Sequence, residues 1–121
     1  MLGHVNNVRY LTYFEIVRTE YLYDFSKRLN VDGLAVILAR SEIDYKLPAK
    51  WRDELVVKMR PITIGNSSWV YEYEVLREKD MAVVAVGKSV QVAYDYEKKA
   101  TIPIPTKIKE AIMKEIEETK D

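Results

Sequence analysis

Cysteine is absent from this chain of 121 residues, and histidine occurs once, as His4. Without cysteine there can be no thiolate nucleophile, no disulfide framework and no zinc or iron–sulfur site with sulfur ligands. A single histidine also excludes a histidine-rich metal centre, so we expect neither a metal nor a redox cofactor. If the chain is an enzyme, its chemistry depends on carboxylates, amides, hydroxyls, helix dipoles and His4.

An excess of one charge and a long hydrophobic run are also missing. Lys+Arg and Asp+Glu number 19 each, so the formal net charge is zero, which argues against a nucleic-acid partner. No apolar run approaches the roughly 18 residues that cross a membrane. The N-terminus lacks the basic-then-apolar layout of a signal peptide. We therefore expect a cytoplasmic protein with no membrane partner.

The chain shows no linker, no internal repeat and no low-complexity tract, so we interpret residues 1–121 as one domain. A monomer of this size buries only about two-thirds of the surface of its unfolded chain. A homodimer that hides a sheet edge is therefore expected.

The N-terminal part of the chain is predicted to form one long helix. Over Val8–Leu29 the apolar residues recur at helical spacing, and this stretch contains neither glycine nor proline. Asn6 and Asn7 can cap its start, because an asparagine side-chain oxygen accepts a free backbone N–H. Asn30 and then Asp32-Gly33 are typical of a helix end.

The middle of the chain has the pattern of strands. The first strand begins as a near-continuous apolar run, which predicts burial on both faces at one end. Gly65-Asn66 between two β-rich runs predicts a hairpin turn. Gly87 marks either a bulge or a close backbone approach. The predicted strands are Leu34–Leu47, Leu55–Ile64, Trp69–Val75 and Ala82–Tyr96.

A second helix is predicted over Thr106–Lys120, after two prolines that fix an extended entry. Ile108, Ile112 and Ile116 form its apolar stripe. The element order is helix, four antiparallel strands, helix. This order indicates an α+β fold in which a helix packs against one sheet.

The first ten residues contain the strongest functional pattern. Gly3, His4, Asn6 and Asn7 crowd into the approach to the long helix. Backbone N–H groups at a helix N-terminus point outward with a positive partial charge, and they can polarise a carbonyl or hold an oxyanion. The alternative interpretation is that Asn7 only caps the helix and His4 is a surface residue.

Gly-His-Val-Asn-Asn, followed by Arg-Tyr-Leu and Tyr-Phe-Glu, resembles the signature of hotdog-fold acyl-CoA thioesterases of the 4-hydroxybenzoyl-CoA thioesterase-like group. The segment is also similar to the His-Val-Asn-Asn segment of acyl-ACP thioesterases. The resemblance implies an antiparallel sheet wrapped around a long central helix, with subunits paired edge to edge as a homodimer or homotetramer. It implies hydrolysis of an acyl-CoA, or less readily of an acyl-ACP.

The resemblance also implies roles for particular residues. His4, Asn6 and Asn7 would form the catalytic group, with the Asn7 backbone N–H polarising the thioester carbonyl. Gly3 would allow close approach of the substrate. Ser67 and Ser68 would contact the CoA portion, the alternative being that they are only turn hydroxyls. Independently of the resemblance, Arg60 and Lys88 are candidate partners for the CoA phosphates because of their charge, the alternative being that they are plain surface cations.

One feature departs from the family pattern, Asp-x-x-Gly-His. Its catalytic Asp would fall immediately before Met1, and most of the family's first strand would be missing as well. Two alternatives follow: the sequence begins inside a longer reading frame, or the chain is a non-catalytic hotdog module that binds acyl thioesters or serves as a structural subunit. Glu15 on the helix is a weaker substitute carboxylate, and a hotdog dehydratase ranks last.

Overall fold

The structure is a computed structural model that describes residues 7–29, 35–50 and 53–119. The α+β layout and the long first helix are confirmed, and the last helix ends two residues earlier than predicted. The elements in chain order are α1 (Asn7–Leu29), β1 (Ala35–Tyr45), β2 (Leu55–Ile64), β3 (Ser68–Arg77), β4 (Ala82–Asp95), β5 (Ala100–Thr101) and α2 (Thr106–Glu118).

The strands form one antiparallel sheet in the order β1-β4-β3-β2, with β5 paired to the end of β4. β1 therefore lies beside β4 and not beside β2, its neighbour in sequence. The predicted turn at Gly65-Asn66 is confirmed, because the Gly65 N–H donates to the Ser68 carbonyl at 2.8 Å between β2 and β3. β5 has only two residues, too few to leave an alternating pattern in the sequence.

The face of the sheet that contacts α1 is called the inner face, and the opposite one the outer face. Trp69, Tyr71, Tyr73 and Val75 alternate along β3 on the inner face and are fully buried, as the sequence predicts. Phe14 of α1 lies in the same core. Burial of such aromatic surface supplies the main driving force that holds the helix on the sheet.

α2 completes the core beside β2 and reaches α1. Its predicted stripe is confirmed, since Ile108 and Ile112 are both buried and Ile116 packs against them. The Tyr21 hydroxyl on α1 donates to the Glu115 carboxylate on α2. Within the described part of the chain, neither helix is apolar over a length sufficient to span a bilayer.

Gly87 of β4 is a close approach and not a bulge. The pairing of β4 with β1 and β3 runs through Gly87 without a register shift. A Cβ atom at this position would lie 2.5 Å from Cε2 of Phe14 and 2.8 Å from the Glu42 carbonyl oxygen. The missing side chain therefore makes the space that the Phe14 ring occupies.

The exposure of β1 contradicts the prediction that this strand is buried on both faces at one end. Its apolar start was predicted to be buried on both faces, but Leu38 is 48 % exposed and most of the strand after Ile37 is exposed. The reason is that β1 lies at the edge of the sheet, paired to β4 on one side only. An eleven-residue edge strand with apolar side chains presents free backbone groups to another strand.

Candidate functional site

Two aromatic contacts give the direction of α1 along the inner face. Phe14 stacks on Tyr73 with ring centroids 4.2 Å apart, and Tyr21 packs edge-on against Tyr71 at 5.2 Å. Followed backwards, α1 therefore runs towards the end of the sheet where β3 finishes and β4 begins, called here the β3–β4 end. Asn7 starts the helix about 10 Å of rise before Phe14. The N-terminus of α1 consequently lies towards the β3–β4 end.

Of the predicted catalytic group, Asn7 alone lies within the described residues, at this helix N-terminus. Asn7 is the first residue of α1, so its backbone N–H belongs to the first turn, where N–H groups have no partner within the helix. Gly3, His4 and Asn6 lie outside the described residues. The structure thus places the start of the helix and leaves their predicted roles as predictions.

Ser67 and Ser68 lie at the opposite end of the sheet, the β2–β3 end. The Ser67 carbonyl accepts from the Ala93 N–H at 2.9 Å, and Ser68 begins β3. Within one chain these serines are therefore far from the N-terminus of α1. The sequence predicted that these serines and the start of α1 belong to one substrate site, but a single chain does not bring the two together.

Arg60 lies on the outer face, away from α1. Its Nη1 donates to the Thr119 carbonyl at 2.7 Å, and its Nη2 lies 3.3 Å from the Glu72 carboxylate. The guanidinium thus joins β2, β3 and the end of α2. Lys88 is exposed on the same face, directly opposite Glu72 in the β3–β4 pairing.

A buried polar network beneath α1 is the main feature that sequence reasoning missed. Arg18 donates to the Tyr73 hydroxyl at 3.2 Å, and that hydroxyl lies 2.7 Å from the Ser89 hydroxyl. The Gln91 amide in turn donates to Ser89 at 2.7 Å. Ser89 and Gln91 are almost fully buried, and buried hydroxyl and amide groups are stable only when paired. Their spacing of two on the inner face of β4 was the available signal.

The same core also contains two polar side-chain groups without a hydrogen-bond partner among the described residues. They are the Trp69 indole N–H and the Tyr71 hydroxyl, and both are buried. Burial raises the pKa of the Tyr71 hydroxyl, while the nearby Trp69 N–H and Arg18 oppose that shift. Tyr71 is therefore neutral at physiological pH and cannot serve as a base.

Charged turns close the β3–β4 end. Arg77 and Asp80 form an ion pair at 2.8 Å, and this contact lowers the pKa of the Asp80 carboxyl to about 2. A hydrogen bond with the Glu54 carboxyl raises the pKa of Glu78. Both glutamates are exposed, so water limits the effect of each on the other. The Arg77–Asp80 ion pair stabilises its turn at the end of the sheet where the N-terminus of α1 lies, whereas the raised pKa of Glu78 means that its ionised form is disfavoured beside Glu54.

Glu15 on α1, named above as a weaker candidate for the catalytic carboxylate, has a solvent-exposed side chain. Glu42 and Asp44 on β1 are exposed as well. Within residues 7–29, 35–50 and 53–119, no group of three or more His, Cys, Asp or Glu side chains could hold a metal ion.

Comparisons with known proteins identify relatives along most of the chain. The Thioesterase-like superfamily matches residues 1–112. The acyl-CoA thioesterase YbgC of Haemophilus influenzae is 33% identical over an alignment of 110 residues, and the match covers 81% of this chain and 81% of that protein.

Solved structures give the same result for the fold. A thioesterase from Thermus thermophilus, solved with coenzyme A and Zn, has 33% identity and a TM-score of 0.77, over 92% of this chain and 85% of that chain. A predicted thioesterase from Bacillus stearothermophilus has 26% identity and a TM-score of 0.83, over 95% of this chain and 85% of that chain. The similarity extends over the sheet and both helices.

Proposed function

The chain belongs to the Thioesterase-like superfamily and has the hotdog fold, and from that premise we propose that it hydrolyses acyl-CoA thioesters to a free acid and a thiol. The observation that supports this proposal most directly is α1. An uninterrupted helix of 23 residues begins at Asn7, directly after the Gly3–Asn6 segment that carries the resemblance. Phe14, seated against Gly87, holds that helix in one position on the sheet.

The proposed reaction is attack of water on the thioester carbonyl carbon. As the C–O bond forms, negative charge develops on the carbonyl oxygen, and the first-turn N–H groups of α1, including that of Asn7, stabilise it. The C–S bond then breaks, the acid leaves, and the thiolate takes up the proton that the water loses. Helix N–H groups are already oriented, so little reorganisation is needed at the transition state.

The residues before the helix complete the proposal. His4 and Asn6 orient the substrate or the attacking water, and Gly3 lets the thioester approach the backbone. The general base or nucleophile in this proposal is a carboxylate, the role that the family pattern Asp-x-x-Gly-His gives to its Asp. Tyr71 is unsuited to that role because burial raises the pKa of its hydroxyl.

Pairing of two copies would bring the remaining predicted residues to the site. β1 is the open edge of the sheet, and two β1 strands paired antiparallel would reverse the direction of one sheet relative to the other. The β3–β4 end of one copy would then lie beside the β2–β3 end of the other. Ser67 and Ser68 of the second copy would thus lie at the same end of the paired sheets as the N-terminus of α1, although the Ser68 side chain, next to the inward-facing Trp69, is on the outer face.

The predicted contact between Arg60 and a CoA phosphate would require Arg60 to give up a contact that it already makes. The guanidinium would have to release Glu72 or the Thr119 carbonyl to bind a phosphate. If Arg60 binds CoA, Arg60→Gln raises KM for the acyl-CoA several-fold at unchanged kcat. If it only stabilises the outer face, the variant changes thermal stability and leaves KM unaltered.

A matched pair of substitutions at Asn7 tests the role of the backbone. Asn7→Pro removes the N–H at the first helical position, where proline is tolerated, whereas Asn7→Ala removes only the side chain. Loss of one oxyanion donor costs about 100- to 1,000-fold in kcat. We expect that loss in the proline variant and a much smaller effect in the alanine variant, measured as thiol release from acyl-CoA.

The proposed hydrolysis is tested on the chain with an Asp placed directly before Met1, where the family pattern Asp-x-x-Gly-His has its carboxylate. This variant should release free thiol from at least one member of a broad acyl-CoA panel. Inactivity over the whole panel would refute hydrolysis, and acyl-CoA binding without turnover would instead indicate the non-catalytic module. A cytoplasmic location and a single domain over residues 1–121 stay predictions.

A further inference from the structure

Two large apolar side chains are exposed where β1 ends. Tyr45, the last residue of β1, is 52% exposed, and Leu47, two residues later, is 44% exposed. The core of this chain does not cover them, although Ile43 on the same face of β1 packs against it. Neighbouring apolar side chains left in water beside a substrate site indicate a surface that the substrate covers.

Strand pairing places Tyr45 on the inner face of the sheet. Tyr45 pairs directly with Ala85 of β4, and Ala85 pairs with Val75 of β3. Directly paired residues share a face, and Val75 and Ala85 both belong to the buried core. Tyr45 is therefore the exposed end of an inner-face row whose next two members are buried.

This row lies towards the start of α1. Phe14 sits against Gly87, and Ala85 comes two residues earlier in β4, so the row of Tyr45 is about 7 Å nearer to the β3–β4 end. Asn7 precedes Phe14 by about 10 Å of helical rise in the same direction. Tyr45 is therefore level with the first turns of α1, whose N–H groups are the proposed oxyanion donors.

Leu47 is held at the same end of the sheet. The Lys46 and Leu47 N–H groups both donate to the Val84 carbonyl, at 3.0 Å and 3.2 Å. Because they share one acceptor, the chain turns directly after Tyr45 and stays against the start of β4. Tyr45 and Leu47 thus form one exposed apolar area, called here the Tyr45–Leu47 surface.

Phe14 closes the space beneath α1 to an acyl chain. Its side chain is 1% exposed, stacks on Tyr73 with centroids 4.2 Å apart, and occupies the space that Gly87 leaves open. An interior packed in this way has no room for additional carbon atoms. An acyl chain whose carbonyl is bound at the start of α1 therefore extends over the β3–β4 end of the sheet, and not along the helix into the core.

We propose that the acyl chain of the substrate lies on the Tyr45–Leu47 surface, and that these two residues determine how strongly acyl length affects binding. This inference rests on the proposed function, which places the thioester carbonyl at the start of α1. Each methylene that contacts the surface should raise the affinity about two- to four-fold. The surface is open, so carbons beyond it enter water, and the affinity levels off without falling. Apolar acyl groups are favoured, because burial of a charge against apolar side chains costs free energy.

Isothermal titration calorimetry with S-alkyl-CoA thioethers of increasing alkyl length tests the surface without requiring turnover. The wild-type affinity should rise with alkyl length and then level off. Tyr45→Ser and Leu47→Ala should each flatten this rise and leave the affinity for CoA itself unchanged. Tyr45→Phe keeps the ring and should retain the wild-type rise. Met113→Ala, which removes a 50% exposed apolar side chain from α2 beside the opposite edge of the sheet, is the matched control.

The outcomes separate acyl binding from hydrolysis. A rise that Tyr45→Ser and Leu47→Ala flatten supports the surface even if no acyl-CoA releases thiol, a result that would contradict hydrolysis alone. Variants that keep the wild-type rise overturn the surface, as does a wild-type affinity independent of alkyl length, and thiol release would then still support hydrolysis. Absence of any binding overturns both proposals. A sharp fall in affinity beyond one length indicates a closed pocket and overturns the open surface.

Light scattering and circular dichroism on the same variants complete the test. Tyr45→Ser and Leu47→Ala should have the mass and the spectrum of the wild type. A lower mass would show that these side chains contact a second copy of the chain, and it would overturn their assignment to the acyl chain.

Discussion

Replacement of Gly87 by alanine is the sharpest test of how α1 is held. The new Cβ would lie 2.5 Å from Cε2 and 2.9 Å from Cζ of Phe14, and 2.8 Å from the Glu42 carbonyl oxygen. Carbon atoms in contact prefer about 3.5–4.0 Å, so the ring would have to move by about 1 Å. It cannot move freely, because it stacks on Tyr73 with centroids 4.2 Å apart. The Glu42 contact involves the backbone of the neighbouring strand.

Overpacking of this kind costs about 1–3 kcal/mol, and contact with two rigid groups places Gly87→Ala near the upper value. At about 2.1 cal/mol/K of unfolding entropy per residue, about 3 kcal/mol in a chain of this length lowers Tm by about 12 °C. The reduced entropy of the unfolded alanine chain offsets up to about 1 kcal/mol of that cost. Differential scanning calorimetry at fixed protein concentration measures the shift.

The control is Gly65→Ala, where the nearest atoms would lie 3.6 Å and 3.8 Å from the new Cβ. This is ordinary van der Waals contact, so we expect a change within about 1 kcal/mol. Phe14→Leu in the Gly87→Ala background should recover part of the loss, because only the ring contact is relieved. Equal Tm values for the two alanine variants would refute the reasoning.

Three further changes have defined outcomes. Tyr73→Phe removes the hydroxyl shared by Ser89 and Arg18, and we expect a loss of about 1–2 kcal/mol in urea unfolding; no loss would show that the network contributes nothing. Met81→Gly relieves a φ of 56° and should stabilise by about 0.5–1 kcal/mol; a lower Tm would contradict this. An arginine of the same turn lowers the pKa of the Asp80 carboxyl from 3.8 to about 2. The contribution of this ion pair to the stability of the fold is therefore complete above pH 3.8 and is lost as the pH falls to 2. The Tm difference between wild type and Asp80→Asn should therefore shrink over that range, whereas a constant difference would exclude the ion pair as its cause.

Local patterns in the sequence predicted the elements well. α1 was recognisable because its apolar residues repeat at helical spacing without glycine or proline, and Trp69, Tyr71 and Tyr73 alternate on one buried face. Gly87 was expected to be a bulge or a close approach, and the structure selects the second. Such features depend on neighbours within a few residues, which is why a single sequence reveals them.

The pairing of distant strands and the relative position of distant site residues could not be predicted from the sequence. The pairing of β1 with β4 joins segments about fifty residues apart in the chain, and nothing in the run after Ala35 distinguishes an edge strand from a central one. The same limit applies to the site: the sequence does not show that Ser67 lies at the opposite end of the sheet from Asn7. Because that separation follows from the direction of α1, it required the aromatic contacts of Phe14 and Tyr21.

The seat of Phe14 against Gly87 also determines which motions α1 can make. Sliding by one helical turn, about 5.4 Å, would bring Arg18 or Tyr10 to the place of the phenyl ring. The first alternative would bury a guanidinium away from its hydroxyl partner, and the second would force a larger ring into the same space. α1 therefore has a single low-energy register. Acyl chains of different length would therefore have to be accommodated around a helix of fixed position, since the backbone N–H groups proposed as oxyanion donors cannot shift along the sheet.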